Sequence, residues 1–109
     1  MTEKFLILGG SSFYGRNFMK LVAEKGHIAQ SMHRPHWSLG YAMPEADYIV
    51  NFASQSLVAE SWDDPSAWYR ANVVDTEKTF RLAKCRRFIH VSTPEVYGST
   101  KGWVSEGHH

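Results

Sequence analysis

One cysteine, Cys85, in 109 residues leaves no disulfide to form within the chain. That excludes the disulfide-stapled secreted class, and with no signal-peptide pattern at the start a cytoplasmic protein is the expectation. Excess charge of one sign is lacking as well. Lys and Arg number 12 against 11 Asp and Glu, a net charge of +1. This gives no electrostatic footprint for nucleic acid or an anionic membrane, so neither is expected as a partner. No apolar run approaches the roughly 20 residues that span a bilayer. There is no internal repeat and no low-complexity tract. What is present is ordinary globular composition, 43% hydrophobic and 21% charged, in a chain long enough for one core and not for two.

The apolar pattern alternates strands and helices. Phe5-Leu6-Ile7-Leu8 is a short continuous apolar run ending at Gly9-Gly10, the pattern of a strand buried on both faces. A helix is predicted from about Tyr14 to Lys25, with Phe18, Leu21, Val22 and Lys25 on one face and Gly26 at its C-terminus. Ile28 to Met32 reads as a second strand, less apolar and so nearer an edge. The stretch from His33 to Pro44 is irregular. Asp47 to Ala53 is the third strand. Asp63-Asp64-Pro65 then starts a long helix, by an Asp able to cap and a proline at the first helical position. Its predicted inner face is Tyr69, Val73, Thr76, Phe80 and Ala83. Arg87 to Ser92 is the fourth strand, and a loop with Pro94 and Gly98 follows. Strand–helix–strand repeated twice predicts right-handed crossovers and an α/β fold with a parallel sheet, in the order 2-1-3-4.

Between the first strand and first helix lies Gly9-Gly10-Ser11-Ser12-Phe13-Tyr14-Gly15. A dinucleotide site needs a tight turn, a backbone that lets pyrophosphate approach, and amides at a helix N-terminus aimed at the phosphates. Gly9 suits the turn and Gly15 suits close packing of helix on strand. The middle glycine of the usual spacing is Ser12, whose hydroxyl can donate to a phosphate or cap the helix. Strand before and helix after are the context that gives a glycine pattern weight. A phosphate-anion site without nicotinamide is the weaker alternative.

Three blocks together resemble the N-terminal part of the NAD-dependent epimerase/dehydratase family, in the extended short-chain dehydrogenase/reductase superfamily that modifies nucleoside-diphosphate sugars. They are the glycine block; Asn51-Phe52-Ala53-Ser54-Gln55-Ser56 with Asp64-Pro65 and Asn72-Val73-Val74-Asp75-Thr76; and Arg87-Phe88-Ile89-His90-Val91-Ser92-Thr93-Pro94-Glu95-Val96-Tyr97-Gly98-Ser99. The resemblance implies a Rossmann-like sheet with flanking helices that binds NAD or NADP. It implies Gly9, Ser12, Phe13, Tyr14, Gly15, Phe52, Ala53, Ser54, Asn72 and Ser92 at the cofactor. Thr93 matches the Ser/Thr that hydrogen-bonds the sugar oxygen being oxidised, and Glu95 the acid that takes a proton beside the transient ketone. A solvated or helix-capping carboxylate is the plainer role for Glu95. Two positions depart from the pattern. Pro94 replaces the neighbouring acid of the dehydratases and has no proton to give, and Asp75 replaces the glycine of the Asn-x-x-Gly-Thr block.

The ribose-binding acid at the end of the second strand is replaced by His33 and Arg34. A guanidinium there suits a 2′-phosphate, so NAD and NADP both stand as the cofactor, with the balance slightly toward NADP. The family's Tyr-x-x-x-Lys pair, in which lysine lowers the tyrosine pKa from the same helix face, has one match in spacing, Tyr97 and Lys101. Gly98 and Ser99 within it read as loop, so this is not taken as the acid/base pair. The stretch 33–46 is too short for the helix and strand the family places there, and the sheet is therefore shortened relative to the family.

Several other residues have structural readings. His33 and His36 flank Pro35 without a cysteine or carboxylate at ligand spacing, so no metal site is expected. His90, in an apolar strand, reads as a satisfied core histidine, and Cys85 as a structural thiol. Trp62, Trp68 and Trp103 read as core or interface. Residues 1–105 are read as the NAD(P)-binding domain and 106–109 as the remnant of an expression tag, from Glu106-Gly107-His108-His109. The expected function is the cofactor-binding part of a nucleotide-sugar epimerase or dehydratase. The alternative is a truncated, non-catalytic NAD(P)- or nucleotide-binding module. Oligomeric state stays open, although a sheet this small leaves edges that pairing in a homodimer would cover.

Overall fold

A computed structural model describes residues 1–32, 43–54 and 58–107. Four strands form one sheet: β1 (Lys4–Leu8), β2 (Ile28–Met32), β3 (Tyr48–Asn51) and β4 (Arg87–His90). All pairings are parallel and the order is β2-β1-β3-β4, as the alternating pattern predicts. β2 lies at an edge, in keeping with its weaker apolar content. The third and fourth strands end sooner than expected, at Asn51 and His90, because the chain leaves the ladder there to build the loops described below.

Between β1 and β2 runs α1 (Phe13–Glu24), followed by Lys25 and by Gly26 with φ of +82°. The short α2 (Val58–Ser61) precedes α3 (Pro65–Tyr69), whose N-cap Asp64 accepts from the Ala67 amide at 3.3 Å. The helix does not stop at Tyr69. Arg70–Val74 widens into a π turn, in which the Asp75 amide reaches the Arg70 carbonyl, and α4 (Asp75–Leu82) continues from it. The Thr76 hydroxyl donates to the Ala71 carbonyl at 3.1 Å, again five residues back. A π turn of this kind carries one residue more than a regular α-helical turn.

Alternation along the strands sends successive side chains to opposite faces. Phe5 and Phe52 meet Phe18 of α1 on one face, at ring distances of 6.1 and 5.7 Å. Leu6, Ile49 and Phe88 are register partners on the other, where Phe80 of α4 meets Phe88 edge-on at 5.3 Å. Leu6, Leu8 and Ile49 are fully buried and form the core with Met32, Met43 and Ala46.

Two predicted helix faces are corrected here. In α1, Phe18 and Val22 turn inward but Leu21 and Lys25 are exposed. In the long helix, Thr76 and Ala83 are half-buried as expected, whereas Tyr69 is 70% and Phe80 66% exposed. The buried stripe is Ala71, Asp75 and Thr79, one position away from the predicted one. Small side chains face the interior, and the large apolar ones that dominate the periodicity face outward. Thr79 satisfies its hydroxyl by donating to the Asp75 carbonyl at 2.6 Å.

At the N-terminal ends of the strands, Asp47 accepts from the Lys4 amide at 2.7 Å, and its own carbonyl takes the Arg86 and Arg87 amides. Arg86 bonds Glu3, and its pKa is raised above the ordinary value, chiefly by that hydrogen bond and by the Glu3 charge. This fastens one end of the sheet and leaves the opposite, C-terminal end to carry the loops. Among the described residues no helix is long and apolar enough to cross a membrane.

Candidate functional site

The glycine turn sits where β1 ends. Gly9 has φ of +79°, a region that side chains avoid, and a Cβ there would stand 3.0 Å from the Ala53 amide nitrogen. The turn thus lies against the end of β3, and the Gly9 amide also donates to the Met32 carbonyl of β2 at 3.2 Å. Gly15 has ordinary helical backbone but no room: a Cβ would lie 2.2 Å from the Gly9 carbonyl oxygen. Helix and strand touch backbone to backbone here, which is the third-glycine role in a dinucleotide turn.

Ser12 is the N-cap of α1. Its hydroxyl donates to the Gly9 carbonyl at 2.7 Å and accepts from the Gly15 amide at 3.1 Å. Of the two uses the sequence allows, the hydroxyl serves the cap. The remaining first-turn amides point out of the helix N-terminus, the geometry that receives anions. Phe13 and Tyr14 are exposed at this mouth, their rings edge-to-face at 5.3 Å. Ser12→Ala is expected to destabilise the chain by about 1 kcal/mol and Ser12→Gly by only a few tenths. Thermal melts of the two variants read this difference, and equal losses would mean that the cap contributes nothing.

The end of β3 is organised by Asn51, a polar side chain only 2% exposed. Its Oδ1 accepts from the Ala53 amide at 3.0 Å, and its Nδ2 lies 3.3 Å from Nδ1 of His90, its register partner on β4. Phe52 packs on Phe18, so its ring belongs to the helix–sheet contact beside the turn.

Beyond the strand ends opens a cleft of about 440 Å³. Ser61, Trp68, Asn72 and Thr76 line its helical side; Ser54, His90, Ser92, Thr93 and Glu95 line the other. Five residues singled out from sequence, Ser54, Asn72, Ser92, Thr93 and Glu95, therefore share one cleft. Gly9, Ser12, Phe13, Tyr14 and Gly15 form the neighbouring turn, joined to it through Ala53. His33, His36 and Arg34 lie outside the described residues. Thr93 has extended backbone and leads into a 3₁₀ turn, Pro94–Tyr97, which places Glu95 in that turn's first residues. Gly98, with φ of +70°, ends the turn at Tyr97, so Tyr97 and Lys101 do not share a helix.

His90 is a correction. It is exposed on the cleft wall, not in the core, because β4 ends there and its last side chain meets the cleft. Trp62 and Trp103 are exposed as well, and only Trp68 of the three is half-buried. The sequence reading missed Asn51 as an organiser of the strand end. The signal available was a polar residue closing an otherwise apolar strand, opposite a histidine in the next one.

The residues present fit a dinucleotide. Bare backbone at Gly9 and Gly15 makes the pyrophosphate turn, and the adjoining cleft lies outside the carboxyl ends of parallel strands, where open α/β sheets bind ligands. Fold and site together define a Rossmann-like nucleotide-binding domain. Residues 40–108 match the family model of GDP-mannose 4,6-dehydratase. The chain belongs to that family, among the NAD-dependent epimerases and dehydratases.

A dTDP-glucose 4,6-dehydratase of Streptomyces antibioticus is 42% identical over 60 residues, which is 52% of this chain and 18% of that protein. The dTDP-glucose 4,6-dehydratase of Mycolicibacterium smegmatis is 27% identical over an alignment covering 87% of this chain and 38% of the relative. The structure of RMD from Pseudomonas aeruginosa complexed with NADPH superposes with a TM-score of 0.76 at 23% identity, over 97% of this chain and 41% of the other. The chain thus spans well under half the length of each of these proteins.

Proposed function

We propose that this chain is the NAD(P)-binding part of a nucleotide-sugar epimerase or dehydratase. The observation that carries the reading is the junction of the close-packed Gly9–Gly15 turn with a cleft lined by Ser54, Asn72, Ser92, Thr93 and Glu95. Titles of similar structures add support, since they name NADPH or NAD as bound. The turn and the first amides of α1 would hold the pyrophosphate. Phe52, Ala53 and Ser54 would line the dinucleotide, and Asn72 and Ser92 its far end. A bound nicotinamide supplies the capacity to accept and return hydride. Thr93 would hydrogen-bond the sugar oxygen, and the Glu95 carboxylate would take a proton from the neighbouring carbon.

By itself the chain is expected to bind without turning over. Among the described residues no tyrosine and lysine stand four apart on one helix, because Gly98 breaks the Tyr97–Lys101 spacing. This favours the binding-module reading for the isolated chain, and the sugar chemistry for a protein of the length its relatives have.

Calorimetric titration with NAD⁺, NADP⁺ and AMP tests the proposal. One of the two dinucleotides is expected to bind at one site per chain and more tightly than AMP. Binding of AMP alone would discard the nicotinamide and leave a mononucleotide site. Incubation with a dTDP- or UDP-sugar and the bound dinucleotide is expected to give no reduced nicotinamide. Turnover by this chain would return Tyr97 and Lys101 to the active site.

A further inference from the structure

Asn51 has no freedom in how its amide faces. The Ala53 amide can only donate, so the group it meets at 3.0 Å must be the carbonyl oxygen of Asn51. The NH₂ then faces Nδ1 of His90 at 3.3 Å, and an NH₂ can only donate. Nδ1 must therefore be the bare, accepting nitrogen, and the ring proton must sit on Nε2. The pair is cross-strand and in register, and Asn51 is buried, so the arrangement is built into the sheet. His90 itself is exposed on the cleft wall, with Nε2 its remaining polar atom.

The cleft's chemistry indicates what that donor meets. Its lining residues include no lysine or arginine and one carboxylate, Glu95, so a phosphate is poorly received there. Its polar groups are neutral hydroxyls, an amide and the imidazole, which suit uncharged oxygens. His90 is two residues before Ser92 and lines the same cleft as Asn72. We propose that Asn51 holds His90 as the neutral Nε2–H tautomer, so that His90 donates a hydrogen bond to an oxygen of the nicotinamide-riboside half of the dinucleotide. Asn51 is then a positioning residue acting through His90, and the inference rests on the dinucleotide reading of the site.

Two measurements test it. The first is ¹⁵N-imidazole NMR of the intact chain without ligand, with His90 assigned by the signal lost in His90→Phe. Nδ1 is expected to be unprotonated and Nε2 protonated. Asn51→Asp keeps an acceptor for the Ala53 amide but offers His90 a second acceptor, so Nδ1 should become protonated. A wild-type ring protonated on Nδ1 overturns the inference.

The second is binding of the preferred dinucleotide against ADP, or against its 2′-phosphorylated form if NADP⁺ is preferred. His90→Phe should weaken the dinucleotide about five- to tenfold and leave the shorter nucleotide unchanged, since only the dinucleotide carries the nicotinamide riboside. His90→Gln, which keeps a donor, should restore most of the loss. Equal dinucleotide binding by wild type and His90→Phe overturns the inference and leaves the proposed function standing. If the wild-type chain binds ADP but neither dinucleotide, both fall. A thermal melt of each variant separates lost binding from lost folding.

Discussion

Gly15→Ala is expected to lower the melting temperature by roughly 10 °C and to abolish dinucleotide binding. Two effects oppose each other at this position. Alanine is the better helix former by about 1 kcal/mol, and Gly15 lies in the first turn of α1 with ordinary helical backbone. Against that, the new methyl would lie 2.2 Å from the Gly9 carbonyl and 3.0 Å from the Gly10 Cα. Both are backbone atoms, which cannot rotate away as a side chain does. Overpacking of this kind costs about 1–3 kcal/mol, occasionally more, and here the upper end applies, so the clash outweighs the propensity. Relief requires α1 to move off β1, which opens the turn that would hold the pyrophosphate. Gly26→Ala is the comparison. Its methyl meets nothing within 4 Å, so only the positive φ penalises it, by about 1 kcal/mol, and binding should survive. Circular-dichroism melts with calorimetric titration decide the matter. A Gly15→Ala chain that melts and binds as wild type would refute the close-packing account.

Leu6→Ala is expected to cost about 3 kcal/mol. Leu6 is fully buried on the central strand β1, between Gln30 of β2 and Ile49 of β3, and packs in the core on the α4 side of the sheet. Truncation removes three methyl-bearing carbons from a core that neighbouring strands cannot refill, since their spacing is set by the ladder. Small domains hold only about 5–15 kcal/mol in total, so this is a large share. Urea unfolding should show the midpoint falling with little change in slope. Ile28→Ala, on the exposed edge strand, should stay within about 0.5 kcal/mol of wild type. Equal losses at the two positions would contradict the assignment of the core.

The parts of the fold legible in sequence were those signalled by local chemistry. The run Phe5–Leu8 ending in two glycines marks a buried strand and its turn, and Asp64-Pro65 marks a helix start that the structure keeps. Order of strands followed from the alternation alone. The inner face of the long helix was not legible. Periodicity weighs large apolar residues, and Tyr69, Val73 and Phe80 outweighed Ala71, Asp75 and Thr79, although the latter are buried. Asn51 and His90 escaped for a different reason. Their meaning lies in a cross-strand register that no local window contains, and the exposure of His90 depends on where β4 leaves the sheet.

The wide turn at Arg70–Val74 bears on how the chain tolerates changes in length. With one residue fewer there, the segment would close into a regular helix, and every position from Asp75 to Leu82 would rotate by about 100° relative to Pro65–Tyr69. Asp75 and Thr79 would swing out of the interior, while Trp68 kept its place. A deletion that looks harmless by composition would thus separate the two halves of the cleft's helical wall, Trp68 from Thr76. The spacing across this turn is as much a part of the binding surface as the side chains on either side of it.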